Sequence, residues 1–305
     1  MNTEALSQNI WRGVILIIAT ALLISLQDVT FKLFSGNMSL WQVFALRGIL
    51  ALPLLMFLAR TRGQLLRVLT EAYSGWALVR TLCMTCAFVS YYAALPFISL
   101  STAGAGIYLA PIFVAVLSAF VIGERVHRWG WLGVVLGFVG VIVLLRPGSD
   151  AFTSFALIPV ASAVFYALAI IVTRTRCEGV SAEALALSFN ASLMMAGFLG
   201  SIILLVWAPT GGIFEEFPFL FGSWSSVELS DWAVLLGLAG FAAMIGVMLA
   251  KAYQSAPPAT IATFEYSYIV FVAIWDIVFF GVAPTAMSVA GIAMIIGAGV
   301  LVMRR

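Results

Sequence analysis

Hydrophobic positions in this chain run in long unbroken stretches of about twenty residues, the length a helix needs to cross a bilayer. Ten stretches have that length, at 12–34, 39–59, 74–95, 100–122, 129–145, 152–174, 183–207, 230–253, 258–281 and 285–303. None shows the alternation over about ten residues that marks a barrel strand. The pattern predicts an all-α polytopic membrane protein with ten transmembrane helices. Most connections are short. The longer ones are 60–73 and 208–229, the second rich in Gly, Pro, Phe and acid (Glu215, Glu216, Glu228).

Composition agrees. Of 305 residues, 63% are hydrophobic and 9% charged, against about 25% charged in a soluble domain. Mean hydropathy is +1.13. The net charge of +2 and the lack of a Lys/Arg run argue against nucleic acid. Polar residues up to Asn9 precede the first run, which reads as a retained span rather than a cleaved leader.

Lys and Arg are distributed asymmetrically. With the amino terminus inside, Arg12, Arg60, Arg62, Arg67, Arg125, Arg128, Arg174, Arg176, Arg304 and Arg305 gather on the inner side, and Arg146 alone falls outside. The positive-inside rule therefore predicts a multi-pass protein of the inner (plasma) membrane with both termini cytoplasmic.

The chain also repeats itself. Residues 94–146, shifted by 158, fall on 252–304 with nine identities in 53 pairs, among them Thr102/Thr260, Tyr108/Tyr266, Phe113/Phe271 and Gly133/Gly291. A shift of 142 places Lys32 on Arg174 earlier in the chain, and the difference matches an insertion at 208–229. The organisation read here is a five-helix repeat at 12–146 and a second at 152–303. An odd number of spans per half makes the repeats inverted, an arrangement that in secondary carriers puts the substrate between them near the midplane.

Several segments resemble the drug/metabolite transporter superfamily, in particular its ten-helix EamA-type members. They are Tyr92-Ala93-Ala94-Leu95-Pro96-Phe97-Ile98-Ser99, Ala110-Pro111-Ile112-Phe113, Gly123-Glu124-Arg125-Val126 and Arg146-Pro147-Gly148. The second half departs from the pattern, with Gly281-Val282 in place of Gly-Glu and Tyr268-Ile269 in place of the proline. The resemblance implies a secondary transporter, often an exporter of amino acids or related metabolites.

Charge at the centre of a membrane helix costs about 2.5–3.5 kcal/mol on insertion scales, so such residues usually face a partner or a wet cavity. The candidates are Asp28, Lys32, Arg47, Arg80, Lys251, Glu265 and Asp276. Asp28 and Lys32, four apart, read as a gating or structural ion pair. Arg47 lies mid-span, where snorkelling is difficult, and reads as cavity lining or half of a buried pair. Arg80 and Lys251 fit substrate contact or interfacial snorkelling.

Glu265 and Asp276 are eleven residues apart, roughly 1,100° or about 20° past three turns, so one straight helix would point both the same way with Tyr268. That stripe reads as facing a central cavity or as a pair of fixed buried acids. Both are proton-coupling candidates. Tyr92, Tyr108, Tyr266 and Tyr268 offer a ring and a hydroxyl to a small amphipathic solute, or simply pack. Together Arg47, Arg80, Tyr92, Tyr108, Glu265, Tyr266 and Tyr268 form the expected substrate site. Pro111 is expected to kink the fourth span. Gly133-xxx-Gly137 and Ala293-xxx-Gly297 allow close helix approach, within one chain or across a homodimer.

No cofactor or metal is expected. Cys83-Met84-Thr85-Cys86 lies within an apolar helix, His127 is the only histidine, and no HExxH or phosphate-binding GxxxxGK motif occurs. About 16 Å of helix between Glu265 and Asp276 prevents a shared proton. The reading is a secondary active transporter of a small zwitterion such as an amino acid, with export favoured and alternating access. Uptake of an organic anion or nucleoside-like metabolite is the alternative, and a membrane enzyme, receptor or channel the distant ones.

Overall fold

The computed structural model describes residues 3–34, 38–94, 97, 106–107, 109–123, 128–145, 155, 157–207, 212, 215, 217–281 and 286–303. Its helices are α1 (Thr3–Phe34), α2 (Leu40–Thr61), α3 (Leu65–Ala72), α4 (Gly75–Ala94), α5 (Ala110–Leu117), α6 (Arg128–Leu145), α7 (Leu157–Arg176), α8 (Ala182–Trp207), α9 (Leu229–Ser255), α10 (Pro258–Glu265), α11 (Ser267–Phe280) and α12 (Ala286–Met303). A π turn, Ser118–Ile122, extends α5, and Pro218–Phe221 forms a single turn. There is no strand among the described residues.

Seven of these segments are long and apolar enough to cross a membrane, with shorter apolar helices at Ala110–Ile122 and Val289–Ala298. Side chains on their outer surfaces are large and apolar: Phe57, Leu82, Phe120, Ile203, Leu205 and Val206 are all exposed. Surface of that kind suits lipid and not water. The protein is a multi-pass, all-helical membrane protein.

Local chemistry sets the boundaries. Ser39 caps α2, its hydroxyl accepting from the Gln42 amide at 3.4 Å. Gly63, at φ 66°, takes the left-handed turn into α3. α3 lies inside the segment expected to be a plain connection. Val68 and Ala72 bury one of its faces while Leu66 and Arg67 remain exposed. Pro111 sits in the first turn of α5, where a missing N–H leaves no bond unmade, so within α5 it starts a helix instead of bending one. The ninth expected span is interrupted at Tyr266, between α10 and α11. Asp276 lies beyond this turn, and its side chain is outside the described residues.

The helices pair in a regular way. α6 packs along α12, α2 along α8, α4 along α7 and α1 along α9, while α5 touches α7 and α10. Glycine allows the α2–α8 approach. A Cβ at Gly48 would lie 2.4 Å from Met194 Cβ, at Gly197 2.5 Å from the Ala45 amide nitrogen, and at Gly200 2.3 Å from the Trp41 indole. Gly137 lies against Ala298 and Gly297 against Leu136, so the small residues of α6 and α12 are used within the chain.

Polar ties bind both ends of α2. At its start Trp41 Nε1 donates to the Leu220 carbonyl at 2.8 Å. The Gln42 amide donates to the Ser225 carbonyl at 2.8 Å and accepts from the Ser225 amide at 3.0 Å. Past its end, Arg62 Nη1 and Lys251 Nζ reach one oxygen of Glu183, at 2.7 and 2.9 Å. Glu71 accepts from the Ser181 amide at 2.7 Å and pairs with Arg67 at 2.6 Å. Lys251 is therefore held in an ion network and not simply extended into the interface.

Candidate functional site: a central polar cavity

α1, α2, α4, α5, α7, α8, α9, α10 and α11 converge on a cavity of about 150 Å³. Its wall is mostly apolar, from Ile17, Ile24, Phe88, Ile107, Ile245 and Leu249. A few polar side chains break that surface, as small-molecule sites require. α1 supplies Gln27 and Asp28, α2 supplies Arg47, α4 supplies Tyr91 and Tyr92, α7 supplies Tyr166, and α10 and α11 supply Glu265 and Tyr268.

The two acids are held by phenols. Tyr268 donates to Asp28 Oδ2 in a short hydrogen bond between α11 and α1. Beside it, Trp275 Nε1 donates to Ser25 Oγ at 2.9 Å. Glu265 Oε1 accepts two bonds, from Tyr166 at 2.6 Å and from Tyr253 at 2.8 Å. Tyr253 is completely buried, and the bond it makes joins α9 to α10. The bond from Tyr166 joins α7 to α10. A carboxyl group bordered by two hydroxyls remains solvated by protein in either protonation state, because a phenol can donate to it or accept from it.

Arg47 is arranged differently. It is 2% exposed and borders the cavity, with its guanidinium 5.8 Å from the Phe44 ring centroid. Asp28 and Tyr92 lie within electrostatic reach. Among the described residues nothing accepts a hydrogen bond from it, and no carboxylate lies within ion-pair distance. A guanidinium carries five donors, so this one faces the cavity with them unused.

The cavity therefore gathers five of the expected site residues: Arg47, Tyr92, Glu265, Tyr268 and Asp28. Tyr92 stacks edge-on against Phe44 and Tyr91, at 5.7 and 5.3 Å. Arg80 is not part of the lining. It is buried where α4, α7 and α8 meet, donating to Thr173 Oγ1 at 3.3 Å and the Leu185 carbonyl at 3.1 Å, 6.0 Å from the Phe189 ring centroid. Tyr266 borders a separate small apolar crevice with Pro111, Gly133 and Ala298, on another side of the helix from Glu265 and Tyr268. Tyr108 and the side chains of Lys32 and Asp276 lie outside the described residues. The described partner of Asp28 is Tyr268.

Gln27, Tyr166 and Tyr253 were not among the expected site residues. Tyr166 was visible only as an aromatic within a span. Tyr253 lies on the far side of Ala256-Pro257-Pro258 from Glu265, so no helical period links the two. Gln27 carries no charge and drew no notice beside Asp28.

Residues 11–146 match the EamA-like transporter family. The pseudopaline exporter CntI of Pseudomonas aeruginosa is 26% identical over 297 residues, 96% of each chain. A riboflavin transporter of Rhizobium johnstonii is 26% identical over 91% of this chain and 84% of its own. An S-adenosylmethionine uptake transporter of Rickettsia prowazekii is 21% identical over 90% and 86%. A crystal structure superposes with TM-score 0.77 at 18% identity, covering 96% of this chain and 98% of the other, which shows a shared fold. These relatives are named as transporters, and the first half of this chain carries the match to the EamA-like transporter family.

Proposed function

We propose that this protein is a secondary active transporter of a small zwitterion, most simply an amino acid, which it carries through the central cavity by alternating access. The observation that supports this reading is Arg47, a buried cation on the cavity wall with no acceptor among the described residues. A substrate carboxylate would satisfy it with a bidentate, charge-assisted pair. Asp28, within electrostatic reach of Arg47, would take an ammonium group, and the apolar wall would receive the side chain. Glu265 in its two-tyrosine cradle is the proposed proton-coupling group. Export is the proposed direction, in keeping with the exporter that aligns over 96% of both chains.

The proposed architecture is ten spans in two inverted repeats, 12–146 and 152–303. The helix pairing supports it. In that scheme α2 and α8, and α6 and α12, are repeat mates packed on each other, and the α4–α7 pair is mirrored by α9–α1. Both termini are proposed to be cytoplasmic in the inner membrane. Arg62, Arg67, Arg174, Lys251 and their acid partners cluster where α2 ends and α8 begins, in keeping with that orientation.

The test is uptake and counterflow in proteoliposomes with wild-type and Arg47→Gln protein, over a panel of amino acids, organic anions and nucleosides. Loss confined to carboxylate-bearing solutes is the expected result. Unchanged transport of every solute by Arg47→Gln would reject the assignment.

A further inference from the structure

We infer that Gln27 selects the substrate, its carbonyl oxygen accepting from an N–H group carried next to the anion that Arg47 binds. The inference rests on the zwitterion reading above and adds a residue that the reading does not use.

Among the described residues, four buried side-chain atoms lack a hydrogen-bond partner: Gln27 Oε1, Ser74 Oγ, Ser181 Oγ and Asn190 Oδ1. Of these residues only Gln27 lines the central cavity. It is 4% exposed, so bulk water does not compensate the orphan. An unpaired buried acceptor is costly, which makes such an atom informative. Tyr92 on α4 lies within electrostatic reach of the amide.

The neighbours define what would complete it. Asp28 follows directly on α1, and Tyr268 occupies one of its oxygens. Arg47 is within electrostatic reach of both Asp28 and Tyr92. The site thus offers an unused cluster of donors on Arg47 and an unused neutral acceptor on Gln27. A molecule with a carboxylate and an amino group on adjacent carbons fills both. A bare carboxylate fills only Arg47 and leaves Gln27 unpaired. A site built to hydrogen-bond a substrate N–H rejects the analogue that lacks it, for the same reason.

The experiment is binding to purified full-length protein, read by calorimetry and thermal shift, with two matched pairs: L-leucine against 4-methylpentanoate, and L-phenylalanine against 3-phenylpropanoate. Wild-type protein is expected to favour the amine-bearing member of at least one pair. Gln27→Leu is expected to reduce that preference about tenfold. Gln27→Glu keeps an acceptor and keeps the preference, which controls for a variant that folds poorly. An undiminished amine preference in Gln27→Leu overturns the inference, as does wild-type binding of both members alike. In either case the carboxylate role of Arg47 still stands. Binding of neither pair by wild-type protein instead rejects the zwitterion reading, and the Gln27 assignment with it.

Discussion

Tyr166 on α7 donates to Glu265 on α10 at 2.6 Å, at the wall of the cavity. Tyr253 donates to the same oxygen from α9, the helix that leads into α10. One carboxylate oxygen thus ties three helices together. Protonation of Glu265 would weaken a charge-assisted bond to each tyrosine, giving a route from proton binding to helix separation.

In proteoliposomes with an imposed pH gradient, Glu265→Gln is expected to transport without responding to the gradient. Tyr166→Phe should keep the response and change the rate. An unaltered gradient dependence in Glu265→Gln would remove the proton-coupling role.

Glu183 holds Arg62 and Lys251 on one oxygen, its side chain only 8% exposed. Glu183→Gln leaves two cations side by side without a counter-charge. The expected loss is on the order of 1–3 kcal/mol, seen as a lower Tm in detergent, with Arg62→Gln alone costing less because its side chain is 49% exposed.

Gly197→Ala would place a methyl group 2.5 Å from the Ala45 backbone nitrogen, with no flexible atom to yield. Overpacking of this kind costs about 1–3 kcal/mol. Gly237→Ala, on α9 with nothing within 4 Å, should be neutral or stabilising by up to about 1 kcal/mol. Thermal unfolding of the two variants side by side checks the contrast.

Arg80→Met removes a buried cation together with its bonds to Thr173 and Leu185. The expected outcome is a changed Tm with an unchanged order of preference across the solute panel. Arg47→Gln should show the opposite pattern. A shift in solute preference in Arg80→Met would place Arg80 in the pathway.

Glu71, on the surface helix α3, has its carboxyl below the ordinary value of 4.5. Its partial burial pushes upward, but the bonds from Ser181 and Arg67 outweigh it. A depressed folded value stabilises the fold above pH 4.5, and that contribution is lost as pH falls through the folded value. The stability gap between wild-type and Glu71→Gln protein should thus be level near neutrality and shrink under acid. A gap that widens under acid would contradict the assignment.

Much of this was legible in the sequence, for physical reasons that differ by feature. The multi-pass, all-helical character was, because a bilayer demands uninterrupted apolar length. Arg47, Asp28 and Glu265 were, because charge at depth is too costly to be incidental. Arg80 shows the limit: it too is an arginine within a span, and only packing reveals its bonds to Thr173 and Leu185. Tyr266 and Tyr268 sit two residues apart and face different spaces, as the roughly 200° between such positions on a helix implies. Glu183 sat on a predicted span boundary, where a charge draws no attention, yet it joins three helical segments.

The glycine seam between α2 and α8 has a mechanical consequence. With Gly48, Gly197 and Gly200 leaving no slack, and with α2 anchored at both ends, sliding one of these helices along the other would drive side chains into backbone. Under the proposed alternating access the pair would act as an axle, with the remaining helices swinging about it.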